Sequence, residues 1–203
     1  MKIERGFTIA ELLVVIAITA IIGTIMVAIF TNTLRGSNKS QILANIKQNG
    51  QAVLENMDKT IREADNVVCS DRSVSDYDTL VVVKEGNYTR YRIRVDNGSI
   101  QQAFLIQPPP PASKSDITAF LEGICTDPMG VDAISVQDLI DNNTQTGVSI
   151  GRVSGSKFFT WDPVPGSKDS VTIKFQLGPP IGVPDIIRGQ IDPVVFQTTV
   201  QLR

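Results

Sequence analysis

The chain has 203 residues, with 19 lysine and arginine residues against 21 aspartate and glutamate residues, and it has no histidine. This length suits one medium-sized domain, or a smaller domain with an appendage. The formal net charge of -2 argues against a protein that coats nucleic acid, which would be strongly basic. Without histidine the commonest general base and transition-metal ligand are missing, and two cysteines are too few for a thiolate zinc site. We therefore expect no enzyme, no cofactor and no metal.

A long apolar segment occupies residues 7–30, where 19 of the 24 residues are apolar. As a helix it would rise about 36 Å, enough to cross the hydrocarbon core of a membrane. Lys2 and Arg5 precede it, which predicts that its amino end faces the cytoplasm and that the rest of the chain is exported. One alternative is a secretory signal peptide, but the segment is longer than a usual h-region and no small-x-small cleavage site follows it.

Glu11 is the only charged residue inside this segment. A carboxylate in an apolar membrane segment costs about 2.5–3.5 kcal/mol on insertion scales, and less near an interface. A plain single-pass anchor, the second alternative, gives no reason for such a residue. Glu11 is therefore a candidate functional residue that needs a partner.

The residues around Glu11 supply one. The sequence RGFTIAELLV, residues 5–14, closely resembles the amino terminus of type IV prepilins and type II secretion pseudopilins. In that family prepilin peptidase removes a short basic leader that ends in Gly, the new amino-terminal residue is N-methylated, and a Glu stands fifth. The resemblance implies cleavage between Gly6 and Phe7, with Glu11 as the fifth residue of the mature chain. It also implies assembly with other pilin or pseudopilin subunits by an inner-membrane platform, after storage among membrane lipids.

Cleavage would create a cationic amine at Phe7, four residues before Glu11 and so on the same face of the helix. The amine of a neighbouring subunit, offset along a filament, could neutralise Glu11 equally well. The sequence does not choose between the two, and the resemblance implies the pairing between subunits.

Small residues recur along the apolar segment. Ala20, Thr24 and Ala28 lie four residues apart, and Gly23 stands beside Thr24. Small residues at this spacing let helices approach closely in an apolar medium, so these four residues are candidate contacts between stem helices. A lipid-facing position without any packing role fits the pattern equally well.

After the apolar segment the pattern predicts a helix and then strands. Apolar residues from Ile42 onward follow a 3.6-residue period, which predicts an amphipathic helix to about Ala64, weakened at Gly50 by about 1 kcal/mol relative to Ala. Alternating segments predict strands at 79–84, 88–95, 100–106, 170–177 and 194–202, and Asn97-Gly98 is a tight-hairpin signal. Residues 115–124 are predicted to form a short helix capped by Ser115, and the prolines at 108–111 a stiff spacer. Residues 127–168 are predicted to form surface loops and short strands.

The expected fold is α+β, with a long amino-terminal helix packed on an antiparallel β-sheet head. We divide the chain into a cleaved leader (1–6), a transmembrane and filament-core helix (7–30), a spine helix (31–66) and a head (67–203). Residues 54–64 and 196–203 also resemble the corresponding parts of minor pilins and minor pseudopilins.

Both cysteines, Cys69 and Cys125, follow the membrane segment and so lie on the exported side, where an even pair suggests a disulfide. Such a bond would tie the end of the spine helix to the short helix near Ile124. Two buried free thiols are the alternative.

Three further patterns have ordinary explanations. Arg90, Arg92 and Arg94 alternate along a predicted strand, and we expect a solvated strand face rather than a DNA-contacting strip. The G-x-S-x-G match at residues 147–151 lacks the histidine that a catalytic triad requires. The acidic and hydroxyl residues from Asp71 to Asp78 are read as a turn rather than a calcium loop.

The sequence thus predicts a structural filament subunit, a minor pilin or pseudopilin, that begins as a single-pass cytoplasmic-membrane protein with an exported carboxyl-terminal head. A major pilin is the first alternative, and a membrane-anchored adhesin or DNA-binding module is the second.

Overall fold

The computed structural model of the chain describes residues 8–70, 77–94, 98–105, 133–163 and 168–203, together with Thr118, Phe120, Leu121 and residues 123–125. The last six of these residues are helical, and all but Cys125 fall in the short helix predicted for 115–124, whose expected cap Ser115 lies outside the described residues. The proline run 108–111 and Asn97 also lie outside them. The remaining elements are α1 (Ile9–Arg62), β1 (Asn66–Ser70), β2 (Tyr77–Lys84), β3 (Asn87–Arg94), β4 (Ser99–Leu105), β5 (Ala133–Asp138), β6 (Ser149–Gly151), β7 (Phe159–Asp162), β8 (Ser170–Gly178), α2 (Asp185–Arg188) and β9 (Val194–Gln201). The predicted α+β class, with a long amino-terminal helix and an antiparallel sheet head, is confirmed.

The chain divides into two compact units, residues 1–41 and residues 42–203, and α1 contributes to both. In the first unit every described residue is exposed. Within the described part of the chain, α1 is the helix that is long and apolar enough to cross a membrane. The hydroxyls of Thr19 and Thr24 donate to backbone carbonyls of the preceding turn, at 2.9 Å to Val15 O and 2.8 Å to Ile21 O. Such bonds satisfy the hydroxyls inside the helix, as apolar surroundings require.

The second unit contains two antiparallel sheets. In the first sheet, β1 to β5 pair in chain order, each antiparallel to the next. The hairpin between β2 and β3 closes on Glu85 and Gly86, whose φ angles of 49° and 79° give a two-residue loop matched to the twist of the strands. The Asp65 carboxylate accepts a hydrogen bond of 2.7 Å from the Glu85 N–H and so supports this loop.

In the second sheet, β8 is the central strand. β9 pairs along one edge of β8, from Ser170 to Leu177. β7 and β6 share the other edge, because β7 pairs with residues 170–173 and β6 with residues 176–178. The residues of β8 that point to one side, from Val171 to Leu177, are fully buried, as the alternating sequence predicts.

The core of the second unit lies between α1 and the two sheets. A stripe of α1 is buried there: Ile46, Gly50, Val53, Met57 and Ile61, at helical spacing. The largest fully buried side chains that meet this stripe from the sheets are Leu80, Tyr91, Ile93, Ile100, Phe158, Phe159, Ile173 and Phe175. α1 and the two sheets therefore share one apolar core.

Gly50 has a packing role that its position in the sequence did not suggest. The Phe196 ring of β9 lies against the Gly50 backbone, so close that a methyl group at residue 50 would overlap the ring atoms Cε1, Cζ and Cε2. The local loss of helix propensity at Gly50 is therefore offset by the close approach of β9 to α1.

Candidate functional site

The amino end of α1 forms a capping box. The backbone N–H and the hydroxyl of Thr8 both donate to Glu11 Oε2, each at 3.0 Å, and the Glu11 N–H donates to Thr8 Oγ1 at 3.2 Å. Thr8 is thus the cap residue, and Glu11 stands at the third helical position, where its carboxylate reaches back to the cap. The first turn of the helix also carries the positive end of the helix dipole, which favours a carboxylate there. Gly6 and Phe7 lie outside the described residues.

This geometry gives Glu11 a partner within its own chain. The predicted partner was a cationic amine, but the T-x-x-E pattern of residues 8–11 is a recognised signal of a helix start and indicates this capping partner instead. Glu11 uses only one carboxylate oxygen in the capping box, Oε2.

The four small residues of the stem, Ala20, Gly23, Thr24 and Ala28, are exposed in the first unit. A methyl group at Gly23 would meet no atom within 4 Å, and the Thr24 hydroxyl is already bonded within the helix. A neighbouring helix could therefore approach this stripe by shape alone, without a hydrogen bond from Thr24. Its role in helix packing stays a prediction.

Cys69 and Cys125 are joined by a disulfide, with their Cα atoms 6.3 Å apart. Cys69 lies on β1 rather than at the end of the helix, so the bond ties a strand of the first sheet to the short helical stretch around Ile124. Ile124 and Cys125 pack there with Val81 and Ala103 in a second, smaller apolar cluster. A bond that closes a loop with a sequence separation of 56 stabilises the fold by about 4 kcal/mol in the chain-entropy model.

The same cluster corrects the expectation for the arginine strip. Arg90 is the cross-strand neighbour of Val81 and Ala103, so it lies on the face of the sheet that the disulfide-linked segment covers. Arg90 and Arg92 are only 6% and 7% exposed, and the expected solvated face is wrong. Guanidinium groups buried in this way are not presented to phosphates, which argues against Arg90 and Arg92 as contacts for DNA, whereas Arg94 is only half-buried.

Asp78 is also buried, with 1% of its surface exposed. Its Oδ1 accepts a hydrogen bond of 2.8 Å from Arg152 Nη2, and its Oδ2 accepts one of 3.0 Å from the Phe158 N–H. The Arg152 guanidinium lies over the Phe158 ring, 5.1 Å from its centroid. Asp78 therefore joins β2 to the segment that precedes β7, and both of its oxygens are occupied. The rest of the candidate calcium loop, residues 71–76, lies outside the described residues.

The remaining sequence patterns have structural roles. Ser149 of the G-x-S-x-G match lies on β6, and its hydroxyl donates to Pro179 O at 2.8 Å. Over the part of the chain that the structure describes, no group of three or more acidic or cysteine side chains could hold a metal ion.

The capped apolar helix and the carboxyl-terminal sheet head are the features of a membrane-anchored protein whose head follows its anchor. Residues 1–27 match the family model of the prokaryotic N-terminal methylation motif. That motif is the signature of type IV pilins and pseudopilins, so the resemblance drawn from residues 5–14 is confirmed. No curated protein and no solved structure matches the chain.

Proposed function

We propose that the chain is a structural subunit of a type IV pilus or of a type II secretion-like filament, in the role of a minor pilin or minor pseudopilin. The match of residues 1–27 to the methylation motif carries this proposal. The unbroken helix from Ile9 to Arg62 supplies a stem long enough to cross a membrane and to continue into the head. In this proposal residues 1–6 are the leader, 7–30 the membrane and filament-core helix, 31–66 the spine and 67–203 the head.

Maturation in this proposal is a cut between Gly6 and Phe7 by prepilin peptidase at the cytoplasmic face of the inner membrane, followed by N-methylation of Phe7. The mature subunit then waits among membrane lipids with its head exported. Mass spectrometry of the amino-terminal peptide tests this step. A peptide that begins with N-methyl-Phe7 supports it, and a peptide that still contains Met1 contradicts it.

Assembly in this proposal pairs Glu11 with the amine of a neighbouring subunit while an inner-membrane platform extracts the stem from lipid. Before assembly the capping box stabilises the Glu11 carboxylate of the membrane-stored subunit, because donors at its own helix end form hydrogen bonds with it. An incoming amine adds a full positive charge in surroundings of low dielectric, where Coulomb attraction is far stronger than in water. A subunit placed in the wrong register would lack this pairing, so the same contact favours one stagger.

Two variants separate the charge of Glu11 from its capping role. Glu11→Gln keeps a side chain that can close the capping box but removes the negative charge. Thr8→Ala removes the cap hydroxyl but keeps the carboxylate. We expect Glu11→Gln to reduce the incorporation of the subunit into filaments by about tenfold or more, on the scale of a lost charge-assisted hydrogen bond. Thr8→Ala should lower incorporation much less.

Incorporation is measured by quantitative immunoblotting of sheared filaments against membrane-retained subunit, with leader removal checked in every variant. Normal incorporation of Glu11→Gln would refute the charge-pairing mechanism and favour a plain membrane anchor. Equal losses in both variants would assign Glu11 to helix capping alone. A major pilin, the alternative within the family, would be the bulk protein of the filament preparation, whereas a minor subunit would be scarce in it.

A further inference from the structure

A groove of about 530 Å³ opens in the second unit between the last turns of α1 and the first sheet. We call it the Phe104 groove, after the aromatic side chain in its wall. Its size falls within the usual range for small-molecule sites, about 300–1,000 Å³. Phe104 is 43% exposed, although aromatic side chains of this kind are usually buried in a core.

The floor of the groove is part of the helix-facing side of the first sheet. The side chains on this side are apolar under α1 and include polar ones in the groove. Under α1 that side carries apolar residues such as Leu80 and Ile93. Gln102 and Gln137 line the groove and are cross-strand neighbours in one row, which Tyr91 continues outside the groove lining. In the next row Thr89 lies between Val82 and Phe104, and all three line the groove. Amide and hydroxyl groups thus lie beside apolar side chains on a face that begins as core.

Two of these polar side chains are fixed in place from below. The Gln102 amide Nε2 donates to the Tyr91 hydroxyl at 3.2 Å, and that hydroxyl donates to Asn56 Oδ1 of α1 at 3.2 Å. Gln102 is 4% exposed and Tyr91 is fully buried. Gln102 and Asn56 line the groove, so these hydrogen bonds hold its wall in a fixed arrangement before a ligand binds, which lowers the entropic cost of binding.

The charged side chains around the groove balance one another. Lys84 Nζ lies 2.8 Å from Glu63 Oε2, and the other two charged lining residues are Lys59 and Glu85, one of each sign. The groove therefore has no net charge and offers no cluster of cations to a phosphate or sulfate. A neutral ligand rich in hydrogen-bonding groups fits these surroundings better than a nucleic acid does.

We infer that the Phe104 groove binds a neutral saccharide. An amide can donate and accept at once, which matches sugar hydroxyls that do the same. The exposed ring of Phe104 offers a flat apolar surface to the C–H face of a pyranose ring. The lining residues belong to the second unit and Glu11 belongs to the first, so the site can be tested separately from the pairing proposed for assembly.

The test is a glycan array that carries neutral and anionic oligosaccharides. The array is probed with the full-length chain in a detergent without a sugar head group. The affinity of each hit is then measured by titration calorimetry with the same oligosaccharide. Phe104→Ala removes the stacking surface, and Gln137→Ala removes an exposed amide. Val136→Ala is the matched control, because it truncates an exposed apolar side chain next to Gln137 that points to the other side of the sheet.

We expect the wild type to bind neutral glycans, Phe104→Ala to weaken binding at least about tenfold, and Val136→Ala to change it less than about twofold. Phe104→Trp should restore binding, and circular dichroism should show all variants folded. The inference is overturned if the wild type binds no arrayed glycan, if it binds only anionic glycans, or if Phe104→Ala and Val136→Ala behave alike. If the glycan inference is wrong, Phe104→Ala still assembles into filaments normally. If the filament proposal is wrong, the wild type still binds glycans.

Discussion

The contact between Gly50 and Phe196 predicts that a helix-favouring substitution will weaken the protein. Gly50→Ala would place a methyl group closer than 3.0 Å to three atoms of the Phe196 ring, a distance that real Cβ contacts essentially never reach. The ring has little room to move, because Phe196 is 8% exposed and stacks on the fully buried Phe175, with centroids 5.5 Å apart. The second unit must therefore shift β9 away from α1 or distort the stacked pair.

The size of the effect follows from two opposing contributions. Alanine is favoured over glycine in a helix interior by about 1 kcal/mol. Overpacking a well-filled core costs about 1–3 kcal/mol, and occasionally more. Because three atoms of a confined ring are involved, we take the upper part of that range and expect a net loss of about 1–2 kcal/mol in the free energy of unfolding.

Urea unfolding of the full chain in detergent measures this change. The chain has a single tryptophan, Trp161, which packs against the core of the second unit and reports on its unfolding. Gly36→Ala is the matched control, because a methyl group there would meet nothing within 4 Å and should leave the midpoint unchanged or raised. Gly50→Ala combined with Phe196→Leu should recover much of the loss. If Gly50→Ala alone stabilises the chain as Gly36→Ala does, β9 does not pack on α1 as described.

Two further predictions concern buried polar groups. Arg152→Ala leaves the Asp78 carboxylate buried without its cation, and loss of one partner of a buried ion pair costs about 3–5 kcal/mol. Because the Arg152 side chain is 46% exposed, we expect a smaller loss of about 2–3 kcal/mol in the free energy of unfolding, measured with urea. Adding Asp78→Asn should recover part of that loss, and no recovery would mean that the charge is not the cause. Burial raises the pKa of Tyr91 from 10.0 to about 12, so the folded state holds the phenol proton more tightly than the unfolded state does. The stability from this difference is complete below pH 10 and is lost as the pH rises through 12, by up to about 2–3 kcal/mol. Tyr91→Phe should abolish that alkaline loss, and an unchanged pH profile of unfolding in the variant would refute this assignment.

The sequence predicted the elements whose burial follows a simple period. The apolar stripe from Ile42 gave the buried face of α1, and strict alternation gave β8 and β9. These patterns are readable because each element buries one face against one core. The fold class follows directly from them.

Other elements could not be placed where the pattern is short or two-sided. β6 and β7 lie in residues 127–168, which were predicted to form loops and short strands, but their three and four residues are too few for a period to locate them. β3 is buried on both faces, with Tyr91 on one and Arg90 on the other, so its alternation does not separate solvent from core. The disulfide-linked segment that covers Arg90 comes from a distant part of the chain, and no local pattern could reveal it.

The amino-terminal site also contains one feature that was predicted from the sequence and one that was not. The methylation motif at residues 1–27 is a local signal, and the resemblance of residues 5–14 to prepilins and pseudopilins identified it correctly. The capping box of Thr8 and Glu11 is equally local, but it was not predicted, because a carboxylate in an apolar segment suggests a cationic partner before a backbone donor. The Asp78–Arg152 pair joins residues 74 positions apart, and only the fold brings them together.

The arrangement of the core also sets the order in which the chain can fold. The stripe on α1 is made early in synthesis, but β8 and β9, which bury it, lie almost the whole length of the second unit further on. Such long-range closure is slow and leaves apolar surface uncovered in the meantime. In the proposed maturation, where the head follows the stem across the membrane, the part of the α1 stripe that Phe196 covers would stay exposed until β9 is exported.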